Sequence, residues 1–271
     1  MAGTRTIVCV SDHTGLTAEA FAHSLISRFP QIEAGYVVRP FVDSVEKAEA
    51  VVAEIDALGP GARPIVFTTF SDTGLQDIVA GVDGMVINLF SESLDRLAAE
   101  LGEEPSSEVS QYHGVGDIAR YQLRLDAVDF TLMTDDGLGF EHYPLADLIL
   151  VGASRVGKTP SCLYLSMHYG IRAANYPLSL DDHEGAGLPP TLGSHRDRLY
   201  GLTIEPRRLR AIRLQRRPDG AYASLEMCKR EIRHTEQLFR AEGIPYLDST
   251  SRSIEEISAT IIEDTGLTRR I

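Results

Sequence analysis

Cysteine is scarce in this chain of 271 residues: Cys9, Cys162 and Cys228 are widely separated, odd in number and form no CxxC pair. That argues against a disulfide framework and a cysteine-rich zinc site, and a reducing compartment is expected. Histidine does not make up the deficit, because His113, His142, His168, His183 and His195 show no HxxxH or HxH spacing, so zinc has no support. Long apolar runs are missing too. No segment approaches the ~18 uninterrupted apolar residues of a membrane span. The opening MAGTRTIVCVSDHTG holds no apolar stretch followed by a cleavage site, so a soluble, cytoplasmic protein with no membrane partner is expected. Basic charge is in deficit, with 26 Lys and Arg against 39 Asp and Glu for a net −13. No nucleic-acid partner is expected, since a phosphate backbone is met by a basic patch or domain.

What is present is an ordinary globular composition, 43% hydrophobic and 24% charged. The length suits one large α/β domain or two smaller ones, domains usually running to about 50–250 residues. Charge is unevenly placed: residues 1–150 carry 8 basic and 24 acidic side chains (−16), whereas residues 151–271 carry 18 and 15 (+3). The second half has room for a local anion site.

Short β-branched and aromatic runs at 6–10, 34–42, 63–70 and 83–90 predict strands, and the spacing predicts helices over 17–29 and 44–58. Ala20, Ser24 and Ser27 share one face of the first helix, and Val45, Ala48, Val52 and Ile55 one face of the second. Residues 102–117 are a Gly, Pro and Ser-rich loop, followed by a helix over 118–133 and a break at 134–137. Strands are then expected at 146–152, 171–178, 200–204 and 244–249, with helices at 159–169, 206–217 and 222–242. A closing helix is begun by Ser253 with Glu256 three residues on, the pattern of a capping box. Strand and helix alternate, so the expected fold class is α/β with mostly parallel sheets. The expected division is an N-terminal α/β domain at 1–105, a linker and connecting helix at 106–145, and a kinase-like phosphate-loop domain at 146–271.

The sharpest motif is Gly152-Ala153-Ser154-Arg155-Val156-Gly157-Lys158-Thr159, a full match to GxxxxGK[ST] between an apolar strand and a helix. Glycines at both ends let successive N–H groups turn inward onto phosphate oxygens, and the following helix adds its positive N-terminus. Lys158 is expected to reach the β and γ phosphates, and the Thr159 hydroxyl to ligate Mg²⁺. Pro160 is tolerated in the first helical turn. The bland alternative is a Gly-rich turn that happens to contain a lysine.

Other candidates are less determined. At the turn Ser11-Asp12-His13-Thr14-Gly15-Leu16-Thr17, hydroxyls and a glycine can hold an anion with Asp12 as acid/base or metal ligand; equally, Thr14 or Thr17 can simply cap a helix. Asp135-Asp136-Gly137 offers a general base or Mg²⁺ contact, or only a turn. Asp181-Asp182 raises the same two readings. The basic run Arg207, Arg208, Arg210, Arg213, Arg216 and Arg217 places Arg210, Arg213 and Arg217 on one helical face, for phosphates or an acidic partner or merely for solvent. Asp248 ends an apolar strand, where a metal-facing carboxylate could sit.

The text around the loop, VGASRVGKTPSCLYLSMHYGIRAANYPL, is similar to the core of the bacterial and plant regulatory proteins of phosphoenolpyruvate synthase and of pyruvate, phosphate dikinase. The resemblance spans nearly the whole chain: SDHTGLTAE near the start, DFTLMTDDG before the loop, YGLTIEPRRLRAIR and SRSIEEISATII after it. It implies a bifunctional enzyme: an ADP-dependent serine/threonine kinase that inactivates its target on a threonine, and a phosphorylase that removes the group with inorganic phosphate and releases pyrophosphate. The loop, the Asp181-Asp182 pair and YASLEMCKREI look more like the synthase branch, so phosphoenolpyruvate synthase is the expected protein substrate. Three residues depart from the family pattern: Ala153 where a valine is usual, Thr134 where a histidine precedes the aspartates, and Glu205 where an aspartate is usual. Expected roles are Lys158 with Asp136, or in second place Asp12, in catalysis, residues 152–159 in nucleotide binding, and Thr159 on the metal. A homodimer fits the family. The alternatives are the same chemistry on the dikinase, a small-metabolite kinase, and a nucleotide sensor without catalysis.

Overall fold

The structure is a computed structural model that describes residues 5–59, 63–105, 118–180, 187–216 and 221–271. Asp181, Asp182, His183, His113 and Arg217 lie outside the described residues, as does most of the expected 102–117 loop. The chain divides into two compact units, Met1–Gly114 and Val115–Ile271. Both are α/β, as expected, and each is built on a four-stranded parallel sheet.

In the first unit the order is β1 (Arg5–Ser11), α1 (Leu16–Ile26), β2 (Ala34–Arg39), α2 (Val45–Asp56), β3 (Ile65–Thr69), α3 (Thr73–Ala80), β4 (Met85–Asn88) and α4 (Ser91–Leu101). The sheet runs β2-β1-β3-β4. The central strand β1 is buried on both faces, which is why it reads as an unbroken apolar run. Val8 and Val10 pack on α2 and α3 through Ala48, Val51, Ile55, Leu75 and Val79, whereas Ile7 and Cys9 turn the other way onto Ala18 and Ala22 of α1. The face expected for α1 is therefore wrong in phase. Ala20, Ser24 and Ser27 are exposed, and the small Ala18 and Ala22 approach the sheet instead. On α2, Val45 is exposed and Val51 takes its place in the core.

The second unit holds α5 (Ile118–Met133), β5 (Leu148–Gly152), α6 (Lys158–Tyr169), β6 (Ala173–Pro177), the short α7 (Pro190–Gly193), β7 (Leu199–Thr203), α8 (Pro206–Arg216), α9 (Leu225–Glu242), β8 (Tyr246–Asp248) and α10 (Ile254–Thr265). Its sheet runs β6-β5-β7-β8, the same order as in the first unit. Leu148 and Leu150 pack with Cys162 and Leu165 of α6 and with Ile257 and Ile261 of α10; Ile149 and Val151 pack with Phe130 of α5 and Phe239 of α9. Each large side chain so buried contributes about 1.5–3 kcal/mol. The helix expected at 118–133 and the Ser253–Glu256 capping box are both observed.

This strand order has a consequence for position. From β5 the chain crosses to β6 on one side, and β7 lies on the other, so the turn after β5 sits where the connections part. Open parallel sheets bind ligands at such a switch point, outside the carboxyl ends of their strands.

Candidate active site

The turn after β5 is the glycine-rich loop. Gly152 holds φ +154, and a Cβ there would stand 2.4 Å from the Leu202 carbonyl oxygen of β7, so only glycine lets the loop leave the strand here. Gly157 precedes α6 at φ +102, a conformation that side chains rarely adopt. Arg155 takes a left-handed φ of +79 at the loop's tip. Hydrogen bonds brace the loop from outside: among them, Ser249 Oγ donates to the Val156 carbonyl at 2.9 Å, and Arg213 Nη2 to the Ser154 carbonyl at 3.1 Å.

Lys158, the first residue of α6, is 4% exposed. Its Nζ donates to the carbonyls of Gly152 and Ala153, each at 3.0 Å, so the lysine lies folded back over the loop it would serve. Burial pushes its pKa down to about 8, against the pull of Asp136 first, then Cys162 and Asp135. Thr159 Oγ1 donates to Asp135 Oδ1 at 2.8 Å.

The break at 134–137 is the second half of the site. Asp135 and Asp136 lie in a turn entered with a left-handed φ of +51 at Asp136, and Gly137 follows at +79. Asn175, wholly buried on β6, secures both aspartates: its Nδ2 donates to Asp135 Oδ1 at 2.6 Å, and its Oδ1 accepts the Asp136 N–H at 3.2 Å. Its own N–H reaches the Thr134 carbonyl at 3.3 Å. Two partners thus occupy Asp135 Oδ1. Asp136 keeps its carboxylate clear of them while bearing on Lys158 more than any other charge does. Thr134 Oγ1 is turned back to the Phe130 carbonyl of α5 at 2.8 Å.

The remaining candidates fall out differently. Asp12 belongs to the first unit, 8% exposed, where its Oδ2 accepts the Ser71 N–H at 2.7 Å and its Oδ1 has no hydrogen bond. Neither Thr14 nor Thr17 caps α1, which starts from Gly15 with no side-chain cap. The Asp248 carboxylate is taken up by the N–H and hydroxyl of Thr250. In the arginine run, Arg207, Arg208 and Arg210 are exposed while Arg213 is buried and paired with Glu231, so the expected shared face splits between solvent and core. Glu205 accepts the Arg208 N–H at 3.0 Å and thereby caps α8. The three cysteines are buried free thiols. Among the described residues no group of His, Cys, Asp and Glu is arranged to hold a metal, and no helix is long and apolar enough to cross a membrane.

Sequence reasoning missed three contributors. Asn175 carried a signal, an amide inside an otherwise apolar strand that must find partners when buried. Ser249 and Tyr222 carried none, because their contacts with the loop join positions 93 and 68 residues apart.

A strand, a glycine-braced loop, a buried lysine and a carboxylate turn define a phosphotransferase-like site on an α/β scaffold. Residues 7–262 match the family described as kinase/pyrophosphorylase, and the chain belongs to it. It is 47% identical over 269 residues to a protein of Ectopseudomonas mendocina, covering 98% of this chain and 99% of that one. It is 45% identical over 267 residues to one of Marinobacter nauticus and 47% identical over 268 to one of Pseudomonas fluorescens, each covering 98% of both chains. All three bear the name "Putative phosphoenolpyruvate synthase regulatory protein".

Proposed function

We propose that this protein regulates phosphoenolpyruvate synthase by reversible phosphorylation of a threonine, as an ADP-dependent kinase in one direction and a phosphate-dependent phosphorylase in the other. The observation that carries the reading is the joining of the two halves of the site by the Thr159–Asp135 hydrogen bond, which sets a phosphate cradle against a carboxylate turn. The relatives' name supplies the target. In the forward direction residues 152–159 bind the ADP phosphates, and Lys158 leaves its loop carbonyls for them. Asp136 takes the proton of the target threonine, whose oxygen bonds to the β-phosphorus as the bond to AMP breaks. In reverse, Asp136 takes a proton from inorganic phosphate, whose oxygen bonds to the phosphothreonine phosphorus as the bond to the threonine oxygen breaks; Asp136 gives the proton to that oxygen, and the pyrophosphate so formed dissociates. One cradle serves both because each reaction moves a phosphoryl group between a threonine oxygen and a phosphate oxygen.

Asp136 is preferred to Asp12 as the base because it lies in the same unit as the loop, faces Lys158 electrostatically and has its backbone fixed by Asn175. The paired hydroxyl of Thr159 and carboxylate of Asp135 are hard oxygen donors of the kind Mg²⁺ takes. The residues fit that ion, which when bound supplies charge neutralisation to the phosphates.

Incubation of the purified protein with β-labelled ADP and the synthase tests the reading. Label on a synthase threonine supports it; label on a small metabolite, or ADP bound and unreacted, sinks it. In the same assay Lys158→Ala is expected to lower both activities by at least about 100-fold, the scale on which removing one charge-stabilising donor acts. Retention of either activity would defeat the shared cradle.

A further inference from the structure

A pocket of about 290 Å³ opens beside the tip of the glycine-rich loop, lined by Arg155 of that loop, Arg213 and Arg216 of α8, and Tyr222. One wall is rigid. The Arg213 side chain is buried, paired with Glu231, and its guanidinium carbon lies 4.0 Å from the centre of the Tyr222 ring. Arg213 Nη1 holds the Tyr222 carbonyl at 3.0 Å while Nη2 holds the Ser154 carbonyl, and the Tyr222 hydroxyl meets Ser154 Oγ at 3.1 Å. Ring and loop are therefore fixed to each other twice through Ser154. Arg155 and Arg216 are exposed and make no hydrogen bond or ion pair with another described residue. The left-handed backbone that Arg155 adopts is a conformation a non-glycine residue holds only where its surroundings impose it, at a cost of about 1–3 kcal/mol.

We infer that this pocket is the adenosine subsite, receiving the base and ribose of a nucleoside diphosphate whose phosphates lie in the loop. The inference rests on the nucleotide reading above and adds where the nucleoside goes. Arg213, wholly buried, neutralised by Glu231 and stacked beneath Tyr222, holds that ring in place, so the exposed ring offers a flat surface rather than a free charge. Aromatic rings stack on bases. Arg155 and Arg216 stand at the rim, Arg155 on the side of the loop and so beside the phosphate that joins the ribose. A volume near 300 Å³ is at the lower limit for small-molecule pockets and suits a nucleoside better than a peptide. An inorganic phosphate alone would gain nothing from the fixed ring.

The consequence is a division of labour. The kinase direction uses a nucleotide and engages the pocket; the phosphorylase direction uses inorganic phosphate and leaves it empty. Calorimetric titration of the full chain with ADP, and separately with pyrophosphate, reads the difference. Arg216→Ala and Tyr222→Leu are expected to raise the Kd for ADP about 10-fold while leaving that for pyrophosphate within twofold. Tyr222→Phe, which keeps the ring, is expected to fall between Tyr222→Leu and the unaltered protein. Arg216 is exposed, so its loss leaves the core intact. Equal weakening of both ligands would overturn the subsite in favour of an anion site or an effect through the loop, and unchanged ADP binding would overturn it outright. An unaltered protein that binds pyrophosphate but not ADP would instead defeat the nucleotide reading itself.

Discussion

Lys158 aims its ammonium at two carbonyl oxygens of the very loop proposed to receive phosphate. In that position it is dry, and burial brings its pKa to about 8 from the ordinary 10.5. The sign of the consequence differs for folding and for binding. Between about 8 and 10.5 the unfolded chain holds a proton that the folded chain lacks, so the lysine's contribution to stability rises with pH across that window. A bound phosphate restores the charge, so the complex holds more protons than the free protein. ADP affinity is therefore expected to be flat below about pH 8 and to fall above it, by up to about tenfold per pH unit. Lys158→Arg, ionised throughout, is expected to remove the slope above pH 8. Titrations at pH 7, 8 and 9 on both proteins decide the matter, and a slope that survives in the arginine variant assigns the titration to another group.

At the scale of elements, the site is a meeting of β5, α6, β6 and the turn that follows α5. The first two were legible, because Gly152, Gly157 and the apolar LILVG leave few alternatives to a strand, a tight loop and a helix. The helix over 118–133 and the capped α10 were legible for similar reasons, one from its breaker at 134–137 and the other from Ser253. Short or unsignalled elements were not. The α7 helix has four residues, too few to show a period, and α4 follows Phe90 without a side-chain cap, so its start is unmarked although Leu94, Leu97, Ala98 and Leu101 recur at helical spacing. Nor did the sequence tell which strand would stand beside the Asp135–Asp136 turn, since that depends on the crossover from β5 to β6. Asn175 is the product of that crossover, and it acts through the aspartates as a positioning residue. Asn175→Ala is expected to lower kcat of the kinase reaction about 10- to 100-fold, the range that small misplacements of reacting groups produce, while leaving the Kd for ADP within twofold. In an Asp136→Asn background the same change is expected to cost little more. Full additivity of the two substitutions would reduce Asn175 to a general support of the fold.

On the scale of the whole molecule, the charge ledger changes with the boundary. Divided at residue 150 the halves carry −16 and +3, but the compact units, 1–114 and 115–271, carry 6 basic against 17 acidic side chains and 20 against 22, hence −11 and −2. The difference is in the segment from α5 to β5, whose Asp126, Asp129, Asp135 and Asp136 belong with the loop. The proposed phosphate site thus lies in no basic field: the loop brings one buried lysine, with Asp135 and Asp136 alongside. That is what a site requires if it must hold phosphate and also move a proton. It leaves the first unit as the strongly charged part, acidic well beyond what solubility needs. Association with the synthase is expected to be steered by that charge, so the association rate should drop several-fold as ionic strength rises from 0.01 to 0.15 M and the screening length shortens from ~30 to ~8 Å. Dissociation, governed by short-range contacts, is expected to change little. Surface-plasmon measurements with the synthase immobilised at both salt concentrations check this, and an association rate indifferent to salt would remove the acidic unit from the docking step.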